Sequence, residues 1–238
     1  MNPSFSRSSV VIMMTKIPKT GEVKTRLHPL LGQELSTSFH EVCIFDIVNH
    51  IKDFFDIFLC LSGSTQDPWL NHQNICNVHC FFQGSGSLGQ RMSAALEYGF
   101  ARGYSEVILL GSDAPHLHAS LFQKWVNYVK STHSDVVLLP SWDGGYVSLI
   151  ASKPLRALDA PSIRWSTNHT LGDTVKELSN AGHSIQRGDY GYDIDEPQDL
   201  LFLYRQSLAF PELTNHYPRV FEWMIAHQDL ILQAEKQP

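Results

Sequence analysis

Val10-Val11-Ile12-Met13-Met14, followed by Lys16-Ile17-Pro18-Lys19-Thr20-Gly21-Glu22-Val23-Lys24-Thr25-Arg26-Leu27, is the stretch whose reading decides the fold. The apolar run has the length of a short buried strand, and the chain beyond Leu27 has helical spacing. Strand, basic loop and helix is an arrangement by which α/β proteins hold anions. Backbone N–H groups and the helix N-terminus face the ligand, while lysine and arginine neutralise it. The loop lacks the glycine spacing and the Gly-Lys-Ser/Thr ending of a Walker P-loop. Standing alone it would equally suit a solvated surface turn, so its weight depends on the acidic motifs downstream.

Working outward, runs rich in Val, Ile, Leu and Phe at about 9–15, 55–61, 78–82, 106–111 and 135–139 alternate with helical patterns. Leu35, Phe39, Val42 and Phe45 recur at helix spacing, as do Leu88, Met92, Ala95 and Leu96; another helix is expected from about Ala119 to Lys130. The alternation predicts an α/β protein with a mostly parallel sheet sandwiched by helices. After Pro140 the pattern changes: Gly144-Gly145 breaks the chain, a strand is expected at 146–151 and a helix at 171–180. Ser184-Ile185-Gln186 is strand-like, and the chain from Pro197 on is helical, with breaks near Pro211 and Pro218. The simplest division is a single domain over 1–238, with a core at about 9–206 and a helical C-terminal extension at 207–238.

The chain has 238 residues, 43% of them hydrophobic, enough for one full core. Its formal net charge of -6 argues against general affinity for nucleic acid, so the basic loop is a local feature suited to a small anion. No run approaches ~18 consecutive apolar residues, so no membrane span is expected. The first nine residues are largely polar and the apolar run after them is short, which does not read as a secretory signal. The expectation is a cytoplasmic protein with Cys43, Cys60, Cys76 and Cys80 as free thiols. His72, Cys76, His79 and Cys80 do not have the paired spacing of zinc ligands.

Five motifs carry chemistry. Gly111-Ser112-Asp113-Ala114-Pro115 follows the apolar run 107–110, placing Asp113 at the carboxyl end of a central strand, where ligands of open α/β sheets bind. A carboxylate there suits Mg²⁺ or Mn²⁺, or it caps the next turn. In Trp142-Asp143-Gly144-Gly145-Tyr146, adjacent glycines admit close backbone approach to a ligand, and Asp143 can meet a hydroxyl, a metal-bound water or an attacking group. Asp-Gly is also a hairpin signal. In Tyr192-Asp193-Ile194-Asp195-Glu196-Pro197-Gln198-Asp199, the first two acids share a face if extended, and Asp195 is a candidate helix cap. Gln83-Gly84-Ser85-Gly86-Ser87-Leu88-Gly89-Gln90-Arg91 joins a strand to a helix, with Ser87 as candidate cap and Arg91 within reach of an anion. Its Gly84-x-Gly86-x-x-Gly89 spacing is that of a dinucleotide site, but Glu106 sits at the start of the next strand rather than its end, which argues against one. Arg164-Trp165-Ser166-Thr167-Asn168 precedes a helix that Thr167 or Asn168 can cap. Asp46 lies near the apolar stripe of its helix and needs a partner, for which Lys24 or Arg26 is the candidate. No Gly-x-Ser-x-Gly elbow is present.

Taken in order, these motifs resemble the DUF2064 group of bacterial glycosyltransferase-like proteins, over about residues 10–203. The resemblance implies the GT-A fold of nucleotide-diphospho-sugar transferases, a fold similar to that of the guanylyltransferases that activate phospholactate. It implies a nucleotide or nucleotide sugar held by Lys16, Gly21, Lys24, Arg26, Gln83, Gly84 and Arg91. It implies Mg²⁺ or Mn²⁺ at Asp113 with Asp193 or Asp195, and catalytic roles for Asp113, Asp143, Lys24 and Arg26. A small-molecule acceptor is expected near Gly144, Gly145, Trp165, Ser166 and Thr167. Glu196, where relatives usually carry Thr, and Ser148, which interrupts an apolar strand, depart from the pattern on the acceptor side. Glycosyl transfer from a nucleotide sugar leads the expectations, with nucleotidyl transfer to a phosphate acceptor as the alternative and a non-catalytic nucleotide-binding module as a third class. Asp113→Ala is expected to abolish metal-dependent nucleotide binding with little loss of fold.

Overall fold

The computed structural model describes residues 8–72, 74, 75 and 77–236. Among these residues seven strands form one sheet: β1 (Ser9–Lys16), β2 (Asp56–Ser62), β3 (His79–Phe82), β4 (Glu106–Gly111), β5 (Val136–Pro140), β6 (Tyr146–Ala151) and β7 (Ile185–Arg187). Their order is β3-β2-β1-β4-β6-β5-β7. Every neighbouring pair is parallel except those made by β6, which lies antiparallel between β4 and β5. The helices are α1 (His28–Ile51), α2 (Leu88–Phe100), α3 (Ala119–Thr132), α4 (Thr170–Asn180), α5 (Pro197–Ala209), α6 (Pro218–Ala226) and α7 (Gln228–Ile231).

The apolar run of β1 is continuous because both faces of the sheet are covered. Alternate side chains enter opposite cores. Val11 and Met13 join α1 and α3 residues such as Ile44 and Phe122, while Val10 and Ile12 join Met92, Leu96 and Leu178 from α2 and α4. Ser148, the polar interruption in β6, is buried but satisfied: its hydroxyl donates to the Leu109 carbonyl (2.8 Å) across the strand pair.

The C-terminal helices are not peripheral. Leu200, Tyr204, Tyr217, Val220 and Met224 pack with Leu27, just before α1, and with Leu31, Phe39 and Cys43 on its first part, in a third cluster. Asp46 anchors this layer. Its buried carboxylate accepts from the Val220 N–H (2.8 Å) and from Arg219 (3.2 Å). The partner expected for Asp46, Lys24 or Arg26, is therefore incorrect. Asp46 faces α6 rather than the basic loop, because α6 presents its first-turn N–H group and a cation to that stretch of α1.

Three local readings of the helix starts resolve as follows. Ser87 caps α2 in a reciprocal box with Gln90. Asp195 does not cap α5. Asp199 reaches back to the N–H groups of Asp195 (3.1 Å) and Glu196 (2.7 Å), and Glu196 is the cap residue. Thr167 accepts from the His169 N–H (3.2 Å) just before α4, and His169 is the cap residue. Glu106, at the opposite edge of the sheet from Asp113, is held by Ser9 (2.7 Å) and Lys130 (3.3 Å), a structural setting.

Candidate functional site

The loops after β1, β3 and β4 and the extended stretch 191–195 meet at the carboxyl edge of the parallel strands. The basic loop is fastened there by buried Ile17 and Val23 and by the bond from the Ile17 N–H to the Ser62 carbonyl (2.9 Å). Asp113 follows β4, and its carbonyl accepts from the Ile194 N–H (2.8 Å). That one backbone bond sets Asp195 beside Asp113.

Lys24 closes the arrangement. Its Nζ lies 2.5 Å from Asp113 Oδ1, 2.5 Å from the Ile194 carbonyl and 3.3 Å from Asp195 Oδ1, with the side chain 3% exposed. Burial alone would strip the charge from such a lysine, but Asp113 and then Asp195 more than offset it and hold the pKa above its ordinary value. Reciprocally, burial pushes the Asp113 carboxyl up, while Lys24 first and His40 second hold it below the usual range. Arg26 is more exposed and stands 3.9 Å from Asp195 and 3.8 Å from Glu196.

The cleft at this edge has two parts. One, of about 490 Å³, is lined by Lys16, Lys24, Arg26, Gln83 and Arg91. Gln83 orients Arg91, accepting from it at 2.8 Å while donating to the Cys60 carbonyl (3.0 Å). The other, of about 520 Å³, is lined by Asp143, Asp193, Gly145, Tyr146, Trp165 and Thr167, with Ser141 and Ser148 among its hydroxyls. Asp113, Asp195, Arg26 and Ser166 line both parts and so mark where they join.

Gly21, Gly84 and Gly144 line neither part, unlike the other residues named from the sequence. Gly21 (φ 84°) turns the basic loop against Gln33, and Gly84 (φ 71°) turns the chain after β3. Gly144 (φ 90°) would place a Cβ 2.3 Å from the Asn168 carbonyl oxygen. Its missing side chain admits the backbone of the 164–168 loop rather than a ligand, and the β5–β6 connection is a hairpin, as Asp-Gly signals. Asp143 fixes that hairpin by accepting from the Gly145 N–H (2.8 Å). Asp193 accepts from Ser141 (2.9 Å), and burial raises its pKa.

Sequence reasoning missed the layer beneath the loop. Thr15 donates to Ser112 (2.8 Å) and meets His40 Nε2 (3.3 Å), which also contacts the Lys16 carbonyl (3.1 Å). His40 is buried, which lowers its pKa, and it too lines the basic part. Its position beside Phe39 on the buried stripe of α1 was the available signal. His50, His118 and His216 gather outside the cleft, their ring centroids 3.9–4.9 Å apart. His50 and His118 accept from the N–H groups of Ala119 and Ser120, so their lone pairs serve the start of α3. Cys43, Cys60 and Cys80 are free thiols, and Cys76 lies outside the described residues. No helix among the described residues is long and apolar enough to cross a membrane.

A mostly parallel sheet, broken only by the antiparallel β6 and covered by helices on both faces, is a nucleotide-diphospho-sugar transferase-like fold. The chain belongs to the DUF2064 family, described as uncharacterized protein conserved in bacteria, whose profile matches residues 49–167. A solved protein from Desulfovibrio desulfuricans G20, which bears the provisional name nucleotide-diphospho-sugar transferase, is 25% identical; the match covers 96% of this chain and 98% of that one, with a TM-score of 0.85. A cytidylyltransferase from Leptospira borgpetersenii shares the fold at 12% identity and a TM-score of 0.56, over 94% of this chain and 97% of its own. The 2-phospho-L-lactate guanylyltransferase of Methanobrevibacter smithii is 26% identical over 141 residues, 58% of this chain. The chain thus spans 60% of the length of that curated relative.

Proposed function

We propose that the protein is a divalent-metal-dependent glycosyltransferase whose donor is a nucleotide-diphospho-sugar. The observation that carries this reading is the division of charge in the cleft. Lys16, Lys24, Arg26 and Arg91 line one part; in the other, Arg26 is the one cation among the described lining residues, facing Asp113, Asp143, Asp193 and Asp195. A diphosphate suits the first part. Carboxylates, hydroxyls and the rings of Tyr146 and Trp165 in the second suit a polyol, whose hydroxyls donate to acids and whose C–H face packs on rings.

The residues also fit a divalent ion. Asp113, Asp195 and the Ile194 carbonyl surround one cationic atom with hard oxygen donors. Mg²⁺ or Mn²⁺ held there would neutralise the departing diphosphate. The chain's own part is to place the donor phosphates against Lys16, Lys24 and Arg91 and the sugar against the acidic part. Asp143 then receives the proton of an acceptor hydroxyl as that oxygen bonds the anomeric carbon and the bond to the diphosphate breaks. Asp143 stands at the mouth of the acidic part, with one oxygen already fixed by Gly145.

Nucleotidyl transfer is the second reading, supported by the printed activity of the guanylyltransferase relative and by the cation density of the basic part. A phosphate acceptor seated in the acidic part would face four carboxylates, which weighs against it. Incubation with metal and with panels of nucleotide sugars and nucleoside triphosphates separates the readings. Release of nucleoside diphosphate from a nucleotide sugar is the expected result. Metal-dependent pyrophosphate release from a triphosphate, with no turnover of any nucleotide sugar, would transfer the assignment to the alternative.

A further inference from the structure

Lys24 combines two features that neither a phosphate-binding lysine nor a metal site alone requires. Its ammonium is enclosed by two carboxylates and a backbone carbonyl, 3% exposed, at the point where those oxygens converge. Its backbone, moreover, is left-handed (φ 48°, ψ 42°), a conformation that disfavours a residue with a Cβ. Such strain persists where surrounding contacts over-determine it, and it marks segments that can relax when those contacts are withdrawn.

We infer that Lys24 is the resident cation of the Asp113–Asp195 pair in the nucleotide-free protein, and that it must leave before a divalent ion can enter. The inference rests on the metal-dependent reading above. An ammonium and a divalent ion cannot share one small oxygen cage, because the two repel and the donors are too few for both. Lys24 also lines the basic part of the cleft with Lys16, Arg26 and Arg91, so an arriving polyphosphate offers its ammonium another set of oxygens. Its transfer to the phosphates would leave the carboxylates to the ion and let the residue abandon its left-handed backbone. Metal and nucleotide would therefore enter together, each weakly bound without the other.

Mn²⁺ binding to nucleotide-free protein tests this, read by electron paramagnetic resonance of free Mn²⁺ and by thermal melting. Lys24→Met should bind Mn²⁺ about tenfold or more tightly than wild type, since losing one positive charge beside a divalent ion is worth at least that much even under strong screening. Mn²⁺ should raise the melting temperature of the variant and not that of the wild type. Lys24→Arg should stay as weak as wild type, and adding Asp113→Asn to Lys24→Met should remove the gain. Lys24→Gln serves in the same assays if the methionine variant does not fold. Equal Mn²⁺ affinity in wild type and the uncharged variants, with nucleotide still enhancing it, would overturn the resident-cation role and leave the metal site standing. Absence of Mn²⁺ binding in every form, with and without nucleotide, would remove both.

Discussion

Two glycine-to-alanine substitutions, both in the first turn of a helix, should act in opposite directions. Gly89 is buried in α2, where an added Cβ would lie 1.9 Å from the Leu158 carbonyl oxygen and 3.1 Å from the Trp165 ring. Ordinary contact begins near 3.4 Å, so α2 and the 156–159 turn must part by about 1.5 Å. The obstacle is backbone, which cannot rotate away as a side chain does. Overpacking of this kind costs about 3 kcal/mol at its upper range. Relief of the glycine's helix penalty returns at most about 1 kcal/mol. A net loss of about 2 kcal/mol should lower the melting temperature by about 4–8 °C in a chain of this size. Gly172 lies in α4, exposed, with nothing within 4 Å of an added Cβ. Gly172→Ala should gain up to about 1 kcal/mol. Circular-dichroism melts of the two variants decide the matter, and urea unfolding gives the free energies. A Gly89→Ala protein that melts at or above wild type would refute the packing argument. One that melts low, with Gly172→Ala equally low, would show that some general glycine requirement is at work instead.

Asp46→Ala should cost about 1–3 kcal/mol, chiefly by leaving the buried Val220 N–H without its acceptor while the part-exposed Arg219 turns to water, and limited proteolysis should then release the C-terminal helices first. Acid should destabilise the protein through its histidines. His50 is pushed down to about 4 and His116 to about 3, chiefly by burial, so their contribution is whole above pH 6.5 and is lost progressively as pH falls from there toward those values. With the partly exposed His50 discounted, urea unfolding should show a loss of about 2–4 kcal/mol between pH 7.5 and 5, smaller in His116→Phe; a flat profile would contradict it. Asp113→Ala should lower the melting temperature, contrary to expectation from the sequence, because it strands a buried ammonium. A double-mutant cycle with Lys24→Met should return a coupling of about 1 kcal/mol or more, and additive losses would deny the pairing. Native protein should expose Cys80 to thiol reagents well before Cys43 and Cys60, whose pKa values burial raises, Cys60 to about 12; fast modification of all three would contradict the core packing.

Much of the site was legible because it sits at strand ends. A carboxylate directly after an apolar run, as Asp113 is after 107–110, must emerge at a sheet edge, and a basic loop after the first strand emerges at the same edge in a parallel sheet. The side chains that support these groups were not legible. Thr15 and His40 belong to no motif, Ser112 was read only as the residue before Asp113, and each reads locally as an ordinary strand, helix or turn residue. The glycines divided. Their need for unusual backbone was visible, but what approaches them was not, so Gly144 was given to a ligand when it belongs to the Asn168 backbone.

The sequence by itself determined the succession of strands and helices and the two covered faces of the sheet. Those properties follow from periodicity and from runs of apolar residues within windows of ten to twenty positions. Asp143-Gly144 signalled the hairpin of β6 with β5, but only the tertiary structure decided that β6 also lies antiparallel against β4, since an apolar strand carries no mark of its second neighbour. It alone decided that Asp46 meets Arg219, and that Lys24 lies between Asp113 and Asp195. These partners are far apart along the chain. Charge alone does not choose among many possible mates; the packing of the elements that carry them selects one, through burial and the backbone bonds that fix their separation.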